Sequence, residues 1–387
     1  MHYFTSITTC YLPKARVLAT TLKQYNPDAV MHLVVSDDLP ATFRKEEEPF
    51  DFVWYAEDFI KTEYPRKWFY LHTVVELCTA VKGAAALHIL EQTGADKIVY
   101  LDPDIGVFAD LSPLEEMLDS KSVLLTPHQV VPVSKERDIL NDEICSLKHG
   151  VYNFGFFAVR NDESGLRFLN WWNDRLMKFC YDDIPNGLFT DQKWGDLAPA
   201  LFDFVGIIHD PGYNVATWNL ATRRVEGNSE DGWTVNGVPL RFYHFTGYDS
   251  GAHRIMLRLH ATEASPVWQL SLMYEKMLDE SGQESLGKTV YKYAFYDNGQ
   301  KITKSERLLF RSRLDLYKRF DNPFGDECCT WMKINVVDAE SLKDVIKKYI
   351  KYRRLYKWTL FGLRKKYKSI YKRYASIIEK NKNLILQ

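Results

Sequence analysis

The sequence predicts an α/β fold, a sheet flanked by helices, with a helical extension at the C-terminal end. Three observations carry this. Short β-branched and aromatic runs alternate with helical patterns through residue 262. The run KIVYL, residues 97–101, is apolar after its first residue, the mark of a strand buried on both faces. Beyond residue 262 only helical patterns remain.

HYFTSIT, near the start, is rich in β-branched and aromatic residues and predicts the first strand. A helix follows over 13–25, with Pro13 at an early helical position, where its missing N–H costs nothing. MHLVVSDD and DFVWYAED predict two further strands, and residues 66–93 one long helix with an Ala-rich half. SVLLTPH, FGFFAVR and FVGIIHD complete the strands, with the Trp-rich helix LRFLNWWNDRLMKF among them. Such β–α alternation implies parallel strands. Organisation is expected as 1–262 for the α/β part, 263–340 for a helical accessory region and 341–387 for a tail.

Composition narrows the class. Of 387 residues, 46% are hydrophobic and 14% aromatic, ample for a packed core. The six cysteines form no CxxC pair, so a zinc site or disulfide framework is not expected and a reducing compartment fits. MHYFTSITTC lacks the basic and apolar regions of a signal peptide, and no apolar run is long enough to span a bilayer. The net charge of −1 hides an asymmetry. Residues 341–387 hold 15 Lys and Arg against two acids, leaving 35 basic and 49 acidic residues elsewhere.

The buried-looking strand KIVYL ends in Asp102-Pro103-Asp104. In open α/β sheets ligands sit outside the carboxyl ends of the strands, so both carboxylates are expected at a rim. Carboxylates two residues apart there suit one hard cation, Mg²⁺ or Mn²⁺, which keeps open positions for substrate phosphates. Asp-x-Asp alone is a weak signal, because Asp at a strand end is also ordinary turn chemistry. Aspartate-nucleophile phosphatases use Asp-x-Asp too, but near the N-terminus and with a different continuation from Ile105-Gly106.

Several stretches together, over residues 1–255, resemble retaining glycosyltransferases of the GT-A fold, the family of glycogenin and the bacterial lipopolysaccharide glucosyl- and galactosyltransferases. They are TSITTCYLPKARVLATTLKQY, ELCTAVKGAAALHIL, KIVYLDPDIGVFADLSPL, VYNFGFFAVRN, LFTDQKWGDLAPALF, GYNVATWNL and RFYHFTGYD. The resemblance implies a Rossmann-like mixed sheet flanked by helices. It implies uridine contacts at Thr8, Thr9 and Tyr11, a donor-phosphate contact at Lys82, and Asp102 and Asp104 as metal and diphosphate ligands with His244 as third ligand. It places Asn153 at a sugar hydroxyl and Asp191 and Gln192 in catalytic or acceptor-orienting roles. Two departures stand out: Phe154 replaces the family's Ser, and YDSGAHR stands where a Lys-Pro-Trp is usual, so the pyrophosphate contact made there either falls to Arg254 or is absent. His209 is a second candidate ligand and His128 an acceptor-side candidate.

Each has a plainer reading: Asp191 as a helix N-cap, Asn153 in a turn, Lys82 solvated, His244 as a satisfied core histidine. YKYAFYDNGQKITKSERLLFRSR resembles an element of bacterial polysaccharide glycosyltransferases, though its arginines also suit structural pairing. In the tail, apolar residues from Ile346 to Ile377 recur at three or four, predicting one or two basic amphipathic helices with a break at Gly362.

The expected activity is metal-dependent transfer of a hexose from a nucleotide-diphosphate sugar, a UDP-hexose first, to a cell-surface or lipid-linked glycan with retention, using Mn²⁺ or Mg²⁺. An inverting enzyme with Asp191 as base is the alternative. A sugar-nucleotidyltransferase ranks lower, since TTCYLPKAR lacks the glycines its loop needs, as does a non-catalytic binding protein. The basic tail is expected on an anionic membrane surface rather than on nucleic acid, placing the protein in the cytoplasm, peripheral on the inner membrane face.

Overall fold

The structure, a computed structural model, describes residues 1–336, 339–358 and 364–380. Its contacts divide the chain into two compact units: Met1–Ile60 with Val75–Tyr291, and Lys61–Val74 with the described residues from Lys292 on.

In the first unit the strands are β1 (His2–Ile7), β2 (Val30–Val35), β3 (Phe52–Tyr55), β4 (Lys97–Leu101), β5 (Ile105–Val107), β6 (Val123–Pro127), β7 (Tyr152–Arg160), β8 (Asp182–Asp183), β9 (Leu188–Phe189), β10 (Val205–Ile207), β11 (Val225–Asn228), β12 (Gly232–Val235), β13 (Val238–Pro239) and β14 (Phe242–His244). Seven of them make one sheet in the order β10-β6-β7-β4-β1-β2-β3. β7 runs antiparallel to both β4 and β6, while the other pairs are parallel. The sheet is therefore mixed, as the GT-A resemblance implies, and not all-parallel as the alternation alone suggests.

Strand periodicity sorts the core onto both faces. Tyr3, Ile7, Val99, Leu101, Phe156 and Ala158 pack with Leu12, Leu18 and Leu22 of the helix Leu12–Tyr25 and with Leu114 and Leu118. The alternate residues Phe4, Tyr100 and Phe157 form an aromatic layer on the other face, with Trp172 of the helix Glu163–Phe179 edge-on to Phe157 at 4.9 Å. That helix is capped by Asp162, whose side chain accepts from the Gly165 amide at 2.7 Å. Gly94 ends the helix Lys82–Thr93 in the left-handed conformation at φ 63°.

The predicted single helix over 66–93 is three: Pro65–Leu71, Val74–Ala80 and Lys82–Thr93. His72 is extended (φ −103°, ψ 136°), which ends the first of them. The first falls in the second unit. There Arg307, buried, donates to the Tyr70 carbonyl at 2.5 Å and also to that of Tyr293, and Arg311 donates to the Leu71 carbonyl at 2.6 Å. Arg307 and Arg311 of the YKYAFYDNGQKITKSERLLFRSR stretch thus hold backbone carbonyls, while Arg313 pairs with Asp315. The helix Pro266–Glu280, expected in a separate accessory region, packs into the first unit. Its Tyr274 stacks on Phe245 at 3.7 Å, and Leu270 and Leu278 share that cluster.

The tail forms two helices, Ala339–Trp358 and Arg364–Lys380. Two tyrosines of the stripe meet tyrosines outside it: Tyr374 stacks on Tyr352 at 5.9 Å, and Tyr356 lies tilted against Tyr371 at 5.2 Å. Leu360, Gly362 and Leu363 lie outside the described residues. No described helix is long and apolar enough to cross a membrane.

Candidate active site at the carboxyl rim of the sheet

β4 ends at Leu101, and Asp102-Pro103-Asp104 turns the chain back into β5, with the Ile105 amide donating to the Asp102 carbonyl at 3.0 Å. β5 pairs antiparallel with β14, in a register that sets His244 opposite Ile105. The Phe245 amide then donates to the Asp104 carbonyl at 2.8 Å. This short ladder delivers a histidine from 140 residues downstream onto the paired aspartates. His244 Nε2 lies 3.0 Å from Asp104 Oδ1 and 3.7 Å from Asp102 Oδ2. One ligand atom of each of the three residues lies within 4.8 Å of the others.

Their charges are coupled. Burial works against ionised Asp104, but His244 holds its carboxyl below the ordinary range. Burial also works against a charged His244, yet Asp104 and then Asp102 outweigh it and hold the imidazole above its ordinary value. Two carboxylates in the turn between β4 and β5 and an imidazole on β14 suit a divalent cation such as Mn²⁺. His244 Nε2 faces the carboxylates and could hold a cation with them, while the buried Nδ1 has no hydrogen-bond partner.

Behind the cluster lies a buried cation. Lys82, at the first position of its helix, is 2% exposed. Its Nζ is 2.7 Å from Asp191 Oδ2 and 3.2 Å from Asp102 Oδ1, and donates to the Phe154 carbonyl at 2.9 Å. Burial opposes the charged form of Lys82, but Asp102 and Asp191 outweigh it and raise its pKa. Burial lifts the Asp191 carboxyl above the ordinary range, with Lys82 opposing. Tyr100 Oη donates to Asp102 Oδ1 at 2.6 Å, so one oxygen of Asp102 is held from behind while the other faces His244. Asp191 precedes the short helix Gln192–Gly195 but makes no capping bond; its side chain is spent on Lys82 and on Thr190, whose hydroxyl donates at 3.0 Å. Thr190 sits at φ 46°, a costly conformation for a β-branched residue, which places Asp191.

Asn153 belongs to a second network. Its Oδ1 accepts from the Gly155 amide at 3.1 Å and from Asn214 Nδ2 at 3.0 Å, and its Nδ2 lies 3.3 Å from His128 Nε2. His128 Nδ1 donates to the Val151 carbonyl at 3.2 Å, which leaves Nε2 to accept. Asn219 Nδ2 donates to the carbonyls of His128 and Asn214, at 3.3 and 3.0 Å. Trp218 stands edge-on to both His128 and His244.

The remaining candidates take other places. Thr8 Oγ1 is 3.4 Å from Cys10 Sγ, and Thr9 donates to the Asp38 carbonyl. Tyr11 packs over Lys14 Nζ at 4.1 Å; burial, then the charges of Asp104 and Asp249, raise its phenol above the ordinary range. Gln192 donates its side-chain amide to the His149 carbonyl at 3.1 Å. Arg254 pairs with Glu275 at 2.6 Å, and His209 is exposed. Tyr100, Asn214 and Asn219 are buried partners of the site that sequence reading missed. Asn214, at φ 55°, lay within GYNVATWNL, but nothing local marks it as a bridge between β6 and β7.

Two expectations follow. A Cβ at Gly155 would come within 2.6 Å of His244 Cε1, 2.7 Å of Asn153 Oδ1 and 2.8 Å of Asp102 Oδ2. Gly155→Ala is expected to weaken Mn²⁺ binding by roughly 10- to 100-fold with the fold retained, read by isothermal titration and circular dichroism. Burial holds His128 and His253 at about 4 and His32 at about 3. The unfolded chain binds protons near 6.5 that these folded histidines refuse, so stability is full above pH 6.5 and falls between 6.5 and 4. His128 alone contributes on the order of 3 kcal/mol of that loss. Urea melts of His128→Asn across this window should show a shallower slope.

No protein-family profile matches the chain. It is similar to the uncharacterised protein YfnF of Bacillus subtilis (strain 168), 31% identical over 185 residues, covering 47% of this chain and 60% of that protein. It is also similar to YfnD of the same organism, 25% identical over 181 residues, 46% of this chain and 55% of that one. The chain thus spans less than two thirds of the length of these curated relatives. Among solved structures it is similar to the galactosyltransferase LgtC in complex with donor and acceptor sugar analogues, with 16% identity, 76% of this chain and 98% of that one covered, and a TM-score of 0.40. It is likewise similar to the glycosyltransferase GlyE of Streptococcus pneumoniae TIGR4, with 15% identity, 76% and 66% covered, and a TM-score of 0.41. With its seven-stranded mixed sheet flanked by helices, the chain has the α/β architecture that its resemblance to GT-A glycosyltransferases implies.

Proposed function

We propose that this protein is a metal-dependent glycosyltransferase that moves a hexose from a nucleotide-diphosphate sugar, a UDP-hexose first, to a glycan or lipid-linked glycan, with retention. The observation that carries the reading is the meeting of Asp102, Asp104 and His244 at the carboxyl rim of the sheet, with Lys82 and Asp191 directly behind. Mn²⁺ or Mg²⁺ held there would neutralise charge on a departing diphosphate. The chain's own residues do the positioning. Tyr100 and Lys82 fix Asp102, and the β5–β14 ladder fixes His244. In this reading Thr8, Thr9 and Tyr11 line the base, Asn153 meets the sugar, and Asp191 and Gln192 face the anomeric centre or acceptor. Asp191 is buried on Lys82, which suits an electrostatic or orienting part better than that of a base for an inverting reaction.

The test is a donor screen: hydrolysis of UDP-, GDP-, dTDP- and CMP-sugars by the full chain with Mn²⁺ or Mg²⁺. Turnover of one donor, lost with EDTA, supports the reading; no turnover and no binding of any donor rejects it.

The basic tail supplies a membrane contact in this proposal. Since its tyrosines pack on one another, the attraction is electrostatic, near 1 kcal/mol for each Lys or Arg at an anionic surface as an order of magnitude. Replacing the exposed Lys348, Lys351, Arg353 and Arg354 by Gln is expected to release the protein from phosphatidylserine vesicles in a flotation assay, as should high salt.

A further inference from the structure

The segment between β6 and β7 carries a second group of ligating side chains, apart from the Asp102 cluster. The helix Glu136–Asp138 passes there into a five-residue π-helical turn, Ile139–Glu143. Asp138 and Asp142 lie on this stretch, and His260 follows the helix Ala252–Leu257. One ligand atom of each lies within 4.8 Å of the others. Asp142 is 1% exposed, and neither of its carboxylate oxygens has a hydrogen-bond partner. The buried His260 Nε2 is also without one. Asp138 is 4% exposed and accepts from Arg137 Nε at 2.7 Å.

A carboxylate taken out of water with no donor on either oxygen is an unfavourable arrangement that needs a partner. Protonation removes its charge but leaves both oxygens without a hydrogen bond. A cation answers both needs. We propose that Asp138, Asp142 and His260 form a second divalent-cation site, which ties the 136–143 segment to the turn at His260. Two carboxylates and one imidazole suit Mn²⁺ or Zn²⁺. Burial, and then Asp138, push Asp142 up to about 7, while burial and then Arg137 hold His260 low, so its imidazole is neutral and has a lone pair to give. π-helical turns of this kind are frequent at functional sites. The turn packs against Thr217–Asn219, whose Trp218 stands 5.2 Å from the His244 ring. A cation here would steady the wall beside the first cluster without belonging to it.

The test uses the full chain carrying Asp104→Asn, which disables the first cluster, and Mn²⁺ or Zn²⁺ alone as probe. Asp104→Asn is expected to bind about one equivalent, by calorimetry and by elemental analysis after desalting, and to melt higher with the metal. Adding Asp142→Asn, or separately His260→Gln, should remove both the bound equivalent and the melting shift. The second variant decides if the first fails to fold, as judged by circular dichroism. Equal stoichiometry and shift with and without these changes overturns the proposal, and so does the absence of bound metal in Asp104→Asn.

Discussion

Asp104→Ala is expected to lower donor turnover by roughly 10²- to 10³-fold, the usual size for removing one preorganised electrostatic contact from developing charge. Asp104 is 9% exposed, and its side chain faces His244 rather than the strands beneath it. Its backbone carbonyl, which accepts from Phe245, is unchanged by the substitution, so the β5–β14 ladder should survive. The loss should therefore appear in kcat and in Mn²⁺ affinity, with an unaltered far-ultraviolet spectrum. Initial-rate kinetics over a metal titration separate the two, and wild-type turnover in this variant would reject the metal site.

The second large effect is on stability. Lys82→Met should destabilise the first unit by roughly 3–5 kcal/mol, because it leaves Asp191 buried and unpaired. Asp191 is 2% exposed and 2.7 Å from the ammonium it would lose. Removing that charge as well should recover much of the loss, since two neutral groups in a buried site are tolerated where one orphaned charge is not. Lys82→Met with Asp191→Asn is thus expected to be more stable than Lys82→Met alone. Denaturant melts of the four proteins of this double-mutant cycle give the coupling directly. If the double variant loses the sum of the two single losses, the pair is not coupled.

The legible part of the fold was the part written in local periodicity. β1, β2, β4, β6 and the helices Leu12–Tyr25 and Glu163–Phe179 follow from short apolar runs and a 3.6-residue repeat. The direction of β7 did not follow, because a strand buried on both faces has the same apolar pattern whichever way it runs. Nor did the division of the 66–93 stretch, where the first helix belongs to another unit and is held by Arg307 and Arg311. The tail shows the same gap: a helical stripe predicts an apolar face, but not that the face is covered by the neighbouring helix.

By itself, then, the sequence determined the α/β class, the strand ending in Asp102 and Asp104, and the identity of His244, Lys82 and Asp191 as candidates. The class and the strand rest on local residue type and spacing, and the three candidates on the resemblance to GT-A glycosyltransferases carried by motifs in order along the chain. The tertiary structure decided what each side chain meets. Only the antiparallel β5–β14 register could put His244 beside Asp104. Only the packing of the helix Lys82–Thr93 against the helix Glu163–Phe179, with Lys82 reaching the Phe154 carbonyl, could turn a helix-surface lysine into a buried cation between two aspartates. Asp191, which read as a helix cap, became its counter-ion, and Asn214 became a bridge to Asn153. Such roles depend on contacts between residues tens to more than a hundred positions apart, and their energies come from burial and pairing that no short stretch of chain contains.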